Sequence, residues 1–207
     1  ILAIAIERWN LHKRIALNII QLIGTNVKNV ILGFMVATAF LSMWISNTAT
    51  SVMMLPIGMS IISQLMDNPK TVENENQNFG KALMLAIAYS ASIGGMATLI
   101  GTPPNLVLAT IVQETYGIEI TFSKWFMFGL PISLILLAIC WKYLTEIAFT
   151  FKQKKFPGGR NEINKQLKLL GKLSYEEKMV LLIFVGTAFA WITRSFLLQK
   201  LIPNLDD

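Results

Sequence analysis

The sequence contains few charged residues: they make up 14% of its 207 residues, against about 25% in a typical soluble domain. Two windows, 31–66 and 82–113, contain no Asp, Glu, Lys, Arg or His at all. Shorter apolar runs occupy 126–139 and 179–192. Each stretch is close to or longer than the ~20 residues with which a helix crosses a ~30 Å hydrocarbon core. The lack of charge excludes an ordinary soluble domain and predicts an all-α integral membrane protein.

Cysteine, histidine and catalytic groups are also scarce. Cys140 is the single cysteine, which excludes an intrachain disulfide, and its apolar surroundings indicate a packed thiol. The single histidine, His12, lies among basic residues and is interpreted as an interfacial residue. No nucleophile–base pair and no cluster with metal-ligand spacing is present, which argues against an enzyme. We find no signal peptide and no internal repeat, and the abrupt start at Ile1 leads us to expect a fragment of a longer polypeptide.

The charges that remain lie between the apolar windows. Basic residues concentrate at 8–14, 70–81 and 152–178, whereas 114–124 carries two Glu and one Lys. Because basic segments stay on the cytoplasmic side of a membrane, these three segments are predicted to be cytoplasmic. A net charge of +6 would also fit nucleic-acid binding, but its placement between apolar spans argues against a nucleic-acid partner. We expect a multi-pass protein of the cell inner (cytoplasmic) membrane, in contact with the lipid bilayer.

A polar stretch interrupts the first uncharged window. The window has 36 residues with cytoplasmic flanks at both ends, whereas two complete spans would need about 40 residues plus a turn. The apolar part before the polar stretch, ILGFMVATAFLSMWI, has about 15 residues, and the part after it, VMMLPIGMSII, is shorter. We therefore predict a re-entrant helical hairpin over 31–66 with Ser46, Asn47 and Thr48 at its tip. Non-helical backbone at that depth is tolerated only against protein or a wet cavity.

The second window predicts a helix that is broken in the middle of the membrane. It contains Gly94-Gly95 and, a few residues later, the stretch Gly101-Thr102-Pro103-Pro104-Asn105. Two consecutive prolines remove two amide donors and clash with the preceding turn. A discontinuous helix and a following span, in which Pro131 lies, are therefore predicted over 81–145.

The remaining segments are predicted to flank the hairpin and the broken helix. Residues 146–178 form a predicted cytoplasmic connector with a short amphipathic helix and, at 174–177, the capping box SYEE. A further span is predicted to begin at Met179. Residues 1–30 are interpreted as the end of one helix and an interfacial helix whose apolar positions at helical spacing are Leu11, Ile15, Ile19 and Leu22.

Two elements that are both broken inside the membrane are the strongest sequence pointer to a substrate site in secondary transporters. The helix that begins at the tip presents free amides and a positive dipole end to an anion, beside the short side chains of Ser46, Asn47 and Thr48. Carbonyls freed near Gly95 and Ile100 suit a hard cation. Since neither window has a charged side chain, an anion would bind there only with the help of a cation. A proton-coupled pump would show an intramembrane acid or histidine, so Na+ is favoured.

The motifs at these two breaks resemble a known family. SNTAT, followed about fifty residues later by SIGGMATLIGTPPN, is similar to the N-terminal half of the divalent-anion:sodium symporters, the DASS family. The similarity is strongest to bacterial dicarboxylate carriers of the INDY type. ERWNLHKRIAL and LSYEEKMVLLIF resemble the same family, so the similarity extends over nearly the whole chain. The resemblance implies an inverted-repeat secondary transporter fold, a homodimer and an elevator mechanism.

The resemblance also implies roles for individual residues. In the family, a hairpin tip holds the substrate carboxylates, and sodium lies between the tip and the break in the next helix. Ser46, Asn47 and Thr48 would then bind a small di- or tricarboxylate. The hairpin and the segment 81–145 would belong to a moving transport domain, and the helix over 179–207 to a scaffold. One sodium site would comprise Ser42, Ser46, Asn47, Gly95, Gly101 and Asn105.

One departure from the family pattern is large: a second Ser-Asn-Thr hairpin is required, and this sequence has a single copy. One repeat is therefore present, which supplies half of a substrate site and one sodium site, and we do not expect this chain to transport alone. Two alternatives stay open. A related carrier for arsenite or for sodium and protons would have acidic residues in the other half, and a non-transporting membrane scaffold would use the polar tip as a packing device.

Overall fold

The structure, a computed structural model, describes residues 2–24, 26–66, 73–151 and 159–193. Every regular element in these residues is helical, which confirms the predicted all-α class. Helix α7 continues into a π-helical turn, Tyr143–Ala148. Two described helices, α4 and α7 with its π-helical turn, are long and apolar enough to cross a membrane. The helices are α1 (Leu2–Arg8), α2 (Leu11–Ile23), α3 (Val27–Ser42), α4 (Asn47–Met66), α5 (Glu73–Gly95), α6 (Pro103–Tyr116), α7 (Phe122–Lys142), α8 (Gly159–Leu169) and α9 (Tyr175–Thr193).

Helices α3 and α4 correspond to the two arms of the predicted hairpin, but their lengths differ from the prediction. The second arm was expected to be the shorter one, whereas α4 has 20 residues and α3 has 16. These lengths amount to about 30 Å and about 24 Å. The prediction was wrong because it measured the second arm by its apolar stretch 52–62 alone. Ser46 Oγ accepts the Ala49 N–H at 3.3 Å, so α4 starts already at Asn47, and it continues through Pro56 to Met66. We call the connection 43–46 together with Asn47 and Thr48 the tip.

The predicted break in the second window is confirmed. Helix α5 ends at Gly95, α6 begins at Pro103, and the residues between them, 96–102, form turns. Pro103 and Pro104 occupy the first two positions of α6, where a missing N–H costs no helical hydrogen bond. The break is therefore stable because the prolines begin a helix rather than interrupt one.

The hydrophobic core is formed mainly where α5 packs against α3 and α4, with α2 on the other side of α3. Its largest fully buried side chains include Phe34 and Phe79. A second, smaller cluster joins α1 and α9 to the start of α4. It contains Ile6, Leu11, Ile45, Met53 and Val180, with Trp44 and Phe184 packed against it.

Three of the four apolar positions predicted for α2 pack into the protein: Leu11 is buried, and Ile15 and Ile19 are partly buried against the core. Leu22 is 85% exposed, whereas Ala16 and Ile20 are fully buried. The reason is the contact with α3: a Cβ on Gly33 would lie 2.9 Å from the Cα of Ile20, so the two helices meet along that side. His12, interpreted as an interfacial residue, is 3% exposed and lies inside the protein, where its Nδ1–H donates to the Ile6 carbonyl at 3.2 Å.

The predicted amphipathic helix of the connector is α8, and the predicted capping box follows it. The Ser174 hydroxyl accepts the Glu177 N–H at 3.1 Å, and the Glu177 carboxylate accepts the Ser174 N–H at 2.8 Å. Arg14 of α2 donates to both carboxylate oxygens of Glu177, at 2.9 and 3.1 Å, and to the Leu170 and Gly171 carbonyls after α8, both at 3.1 Å. These contacts attach the start of α9 to α2. Residues 152–158 and 194–207 of the predicted connector and last span lie outside the described residues.

Candidate functional site

The tip and the broken helix meet at a cluster of oxygen atoms. The hydroxyl of Ser42, at the end of α3, is fully buried and lies 2.7 Å from Asn47 Oδ1 at the start of α4. It also lies 2.7 Å from the carbonyl oxygen of Ala91 in α5. A hydroxyl has a single hydrogen and can donate to one of these two acceptors at a time. The cluster therefore has more acceptors than donors, an arrangement that a cation would neutralise.

Gly95 lies directly under the Asn47 side chain. A Cβ added at Gly95 would lie 2.3 Å from Asn47 Oδ1, so any larger residue here would displace the asparagine side chain from this position. A Cβ on Gly101 would lie 2.4 Å from the Gly95 carbonyl oxygen, so the turn after α5 folds back closely on the end of that helix. Both glycines are needed because another chain segment occupies the space of a side chain.

Asn105 holds the break from the α6 side. Its side-chain amide donates to the carbonyls of Gly95, at 3.0 Å, and Thr98, at 2.8 Å, and the residue is 7% exposed. Both hydrogens of the amide group are used in this way, so the Asn105 Oδ1 atom is the one left to accept a hydrogen or to contact an ion. The structure thus brings together Ser42, Asn47, Gly95, Gly101 and Asn105, which the resemblance to the family had placed in one site.

The remaining predicted residues lie on the exposed side of the tip. Ser46 and Thr48 are exposed, and Asn47 between them is half-buried. Ser46 caps α4 through its hydroxyl, and the amides of the first turn of α4 begin beside it. The positive end of a helix dipole together with exposed hydroxyls is suited to an anion.

Several residues that were not predicted from the sequence to belong to the site hold it in place. Thr98 in the break donates to the Met43 carbonyl of the tip at 2.5 Å. From α7, Trp125 donates to the Met96 carbonyl at 3.0 Å and Ser133 to the Ile93 carbonyl at 2.8 Å. Nothing in their local sequence indicates these partners, because each bond joins residues at least 29 positions apart.

The site is built from neutral groups. Within the described residues, no group of three or more His, Cys, Asp or Glu could hold a metal ion. The two ion pairs found there, Arg14–Glu177 and Lys28–Glu146, involve none of the site residues. Hydroxyl, amide and carbonyl oxygens are the ligands that hard cations prefer, so the donor set fits an ion such as Na+ without charge compensation by carboxylates.

Two comparisons with known proteins, one with family models and one with individual relatives, agree with each other. The family model described as the sodium:sulfate symporter transmembrane region matches residues 1–203. The chain is 50% identical over 202 residues to the sodium-dependent dicarboxylate transporter SdcS of Staphylococcus aureus strain USA300, and the SdcS of strain NCTC 8325 gives the same identity. The aligned region is 97% of this chain but 39% of each relative, so the chain spans about two fifths of the length of the curated relatives it matches. The family match over nearly the whole chain shows that it belongs to the sodium:sulfate symporter family, the DASS family of membrane transporters, as its motifs predicted.

Proposed function

We propose that the protein containing this chain is a sodium-coupled symporter of small di- or tricarboxylate anions rather than an enzyme. The observation that carries the proposal is the Ser42 hydroxyl, which lies 2.7 Å from both the Asn47 Oδ1 and the Ala91 carbonyl oxygen beside an exposed polar tip. The similarity to a sodium-dependent dicarboxylate transporter supports the choice of ion and substrate.

The coupling ion binds between the tip and the break. A sodium ion at the acceptor-rich cluster would contact Ser42 and Asn47, with the Asn105 Oδ1 available from α6. Ser46 lies at the edge of this cluster, while Gly95 and Gly101 contribute backbone oxygen atoms and the space for the other ligands. All are neutral, so a bound ion would leave a net positive charge at the tip.

The substrate then binds on the exposed side of the same tip. Ser46, Asn47 and Thr48 offer hydroxyl and amide hydrogens to a carboxylate, and the start of α4 adds its dipole. Because no cationic side chain lies within the tip or the break, the carboxylate depends on the bound sodium for attraction. Transport of the carboxylate is therefore coupled to transport of sodium.

At the scale of the whole protein, we propose an inverted-repeat fold of which this chain supplies one repeat. The segments 31–66 and 81–145 belong to a transport domain that moves as an elevator, and the helix from Met179 belongs to the scaffold of a homodimer. Residues 1–30 and the connector 146–178 lie at the cytoplasmic face of the inner membrane. The α3–α4 pair is re-entrant in this arrangement.

Uptake of radiolabelled succinate by the full-length protein in liposomes tests the proposal. We expect uptake with a sodium gradient and none when choline replaces sodium. An Asn47→Ala variant should lose most sodium-dependent uptake, because the variant lacks the Oδ1 atom beside the Ser42 hydroxyl. The matched control is Asn18→Ala on α2, where the amide donates to the Arg14 carbonyl and is exposed. Uptake that persists in choline, or an Asn47→Ala variant that transports normally, would rule out the proposal.

A ligand-dependent stability measurement separates this function from a membrane scaffold. A symporter should show a rise of its unfolding temperature with sodium, since a ligand that binds only the folded state stabilises it. A scaffold whose polar tip only packs should show no such rise with sodium or succinate.

A further inference from the structure

The tip carries a tryptophan whose contacts differ from those of its polar neighbours. Trp44 lies two residues before Ser46 in the connection between α3 and α4. Its Nε1–H is buried and has no acceptor within the described part of the chain. A buried N–H without a partner costs about 1–3 kcal/mol, so hydrogen bonding does not explain the placement of this indole.

Aromatic contacts do explain it. The Trp44 ring meets Phe184 of α9 edge to face, with centroids 5.2 Å apart and planes at 85°. It also stacks on Phe122 at the start of α7, at 6.3 Å and 23°. Phe122 in turn packs against Phe126 at 6.2 Å and Trp191 of α9 at 5.8 Å. We call Trp44, Phe122, Phe126, Phe184 and Trp191 the aromatic cluster.

The aromatic cluster and the polar contacts hold the tip from two directions. Toward α5 and the break, the tip is held by the hydrogen bond from Thr98 to the Met43 carbonyl, and Ser42, the residue just before the tip, lies within hydrogen-bond distance of the Ala91 carbonyl. Toward α7 and α9, it is held by the Trp44 ring. Helix α9 joins the start of α4 through the small cluster of Ile45, Met53 and Val180, which is separate from the main core. Trp44 is therefore a main link between α9 and the residues that hold the ion.

We propose that Trp44 is a positioning residue that sets the place of Ser46 and Asn47 through its ring contact with Phe184. This inference rests on the proposed function, because it assigns Trp44 a role in sodium binding at the same tip. If Phe184 were replaced by a smaller residue, the Trp44 ring could move into the vacated space. That movement would displace the connection 43–46 and change the distance between Asn47 and the Ser42 hydroxyl. In the conformation described here, the sodium affinity of the tip thereby depends on α9, which supplies no ligand to the ion and belongs to the proposed scaffold. Movement of the transport domain would separate Trp44 from Phe184, so the dependence belongs to this conformation.

The test uses the full-length protein in liposomes and measures the sodium concentration for half-maximal succinate uptake and the maximal rate. Trp44→Leu and Phe184→Leu should each raise that concentration by about fivefold, the order expected from losing one aromatic pair, with the maximal rate changed less than about twofold. Trp44→Phe, which keeps an aromatic ring, should stay within about twofold of the natural protein. The matched control is Phe189→Leu in α9, the helix that also carries Phe184. Phe189 is 59% exposed and lies outside the aromatic cluster.

A double-mutant cycle tests whether the two rings act as a unit. The combined Trp44→Leu and Phe184→Leu variant should show a sodium requirement within about twofold of the larger single effect, because residues that act through one contact are not additive. An unchanged sodium requirement in Phe184→Leu would overturn the inference even if Trp44→Leu fails to fold. So would a double variant whose effect is the product of the two single effects, or a Trp44→Phe variant as defective as Trp44→Leu.

The sodium-induced rise of the unfolding temperature, measured without succinate, separates the two proposals. If the natural protein shows no sodium response, the proposed function fails. If the natural protein responds and the Trp44 and Phe184 variants respond at the same sodium concentrations, the positioning role alone fails.

Discussion

Gly94 and Gly95 are adjacent in the sequence, yet different neighbours occupy the space of their missing side chains. A Cβ on Gly94 would lie 2.2 Å from the backbone oxygen of Ala39, so Gly94 permits the close crossing of α5 and α3. A Cβ on Gly95 would lie 2.3 Å from the side-chain oxygen of Asn47. Gly94 is therefore needed for the fold, and Gly95 is needed for the position of a proposed sodium ligand.

Gly95→Ala should displace the Asn47 amide and raise the sodium concentration needed for half-maximal uptake by at least about tenfold, which corresponds to about 1.4 kcal/mol. The change should affect sodium binding more than folding, because the contacted atom belongs to a side chain that can rotate. The measurement is sodium-dependent succinate uptake by the full-length protein together with its unfolding temperature. Gly186→Ala in α9 is the control, since a Cβ there meets nothing within 4 Å. Normal sodium dependence of Gly95→Ala would contradict the assignment.

His12 makes the stability of the α1–α2 corner depend on pH. Burial lowers its pKa below the ordinary value of 6.5, an effect larger than that of the hydrogen bond to the Ile6 carbonyl, which acts in the opposite direction. The unfolded chain binds a proton near pH 6.5, whereas the folded chain resists protonation until a lower pH. The stabilisation is therefore complete above about pH 6.5 and is lost as the pH falls toward the folded-state pKa.

We expect the unfolding temperature to fall between pH 7 and pH 5, and part of that fall to be absent in His12→Gln. Glutamine offers an N–H to the Ile6 carbonyl but does not titrate in this range. The measurement is a set of thermal unfolding curves at constant ionic strength. The same dependence on pH in both proteins would show that other groups are responsible.

At the scale of the elements, Arg14 and Glu177 connect three helices. Arg14 belongs to α2, Glu177 to the capping box of α9, and the accepting carbonyls to the two residues that follow α8. The side chains of Arg14 and Glu177 are 14% and 6% exposed, so water reaches them little and each charge is stabilised mainly by the opposite charge of the other. Burial raises the pKa of the Glu177 carboxyl, but the hydrogen bonds from Arg14 and from the Ser174 N–H outweigh this effect and lower the pKa overall.

Arg14→Gln should lower the free energy of unfolding by about 3 kcal/mol, because it leaves the Glu177 carboxylate buried without its charged partner. The matched control is Lys28→Gln, which breaks an ion pair with Glu146 whose side chains are 42% and 43% exposed. Exposed pairs contribute about 0–1 kcal/mol, so the control should change little. Thermal or denaturant unfolding of the full-length protein in detergent measures both. Equal effects of the two substitutions would show that the Arg14 pair is no more than a surface contact.

At the scale of the whole molecule, the described chain leaves large apolar surfaces without a protein partner. Helix α6 extends away from the break, and Asn105 is its buried residue. Residues such as Val107 and Ile111 are 57% and 52% exposed. Lipid or the part of the polypeptide that the relatives possess in addition would cover such a surface. The chain spans 39% of the length of those relatives.

We therefore expect the 207-residue chain alone to give no succinate uptake in liposomes under a sodium gradient, while the full-length protein transports. The physical reason is that, in the proposed site, a single tip would supply only half of the contacts to a dicarboxylate. Insertion of the shorter chain into the liposome membrane must be verified by carbonate extraction. Sodium-driven uptake by the inserted chain alone would show that one tip is sufficient.

The sequence by itself determined the helical class, the position of the break and the family. The uncharged windows can be read directly from the residues, a pair of adjacent prolines cannot lie in the interior of a helix without breaking it, and each family motif is a short continuous stretch of the chain. The resemblance to the family implied the site residues Ser42, Asn47, Gly95, Gly101 and Asn105, which the fold brings together. Their proposed roles as ligands stay a prediction.

Only the tertiary structure decided which neighbours each of these residues meets. It showed that α4 starts at Asn47 and is longer than α3, that Leu22 is exposed while Ala16 is buried, and that Trp44 contacts Phe184. Helix caps, buried faces and aromatic contacts depend on the packing of segments that are distant in the chain. A short stretch of sequence does not determine this packing, because either face of a helix can be the buried one until another segment of the chain packs against it.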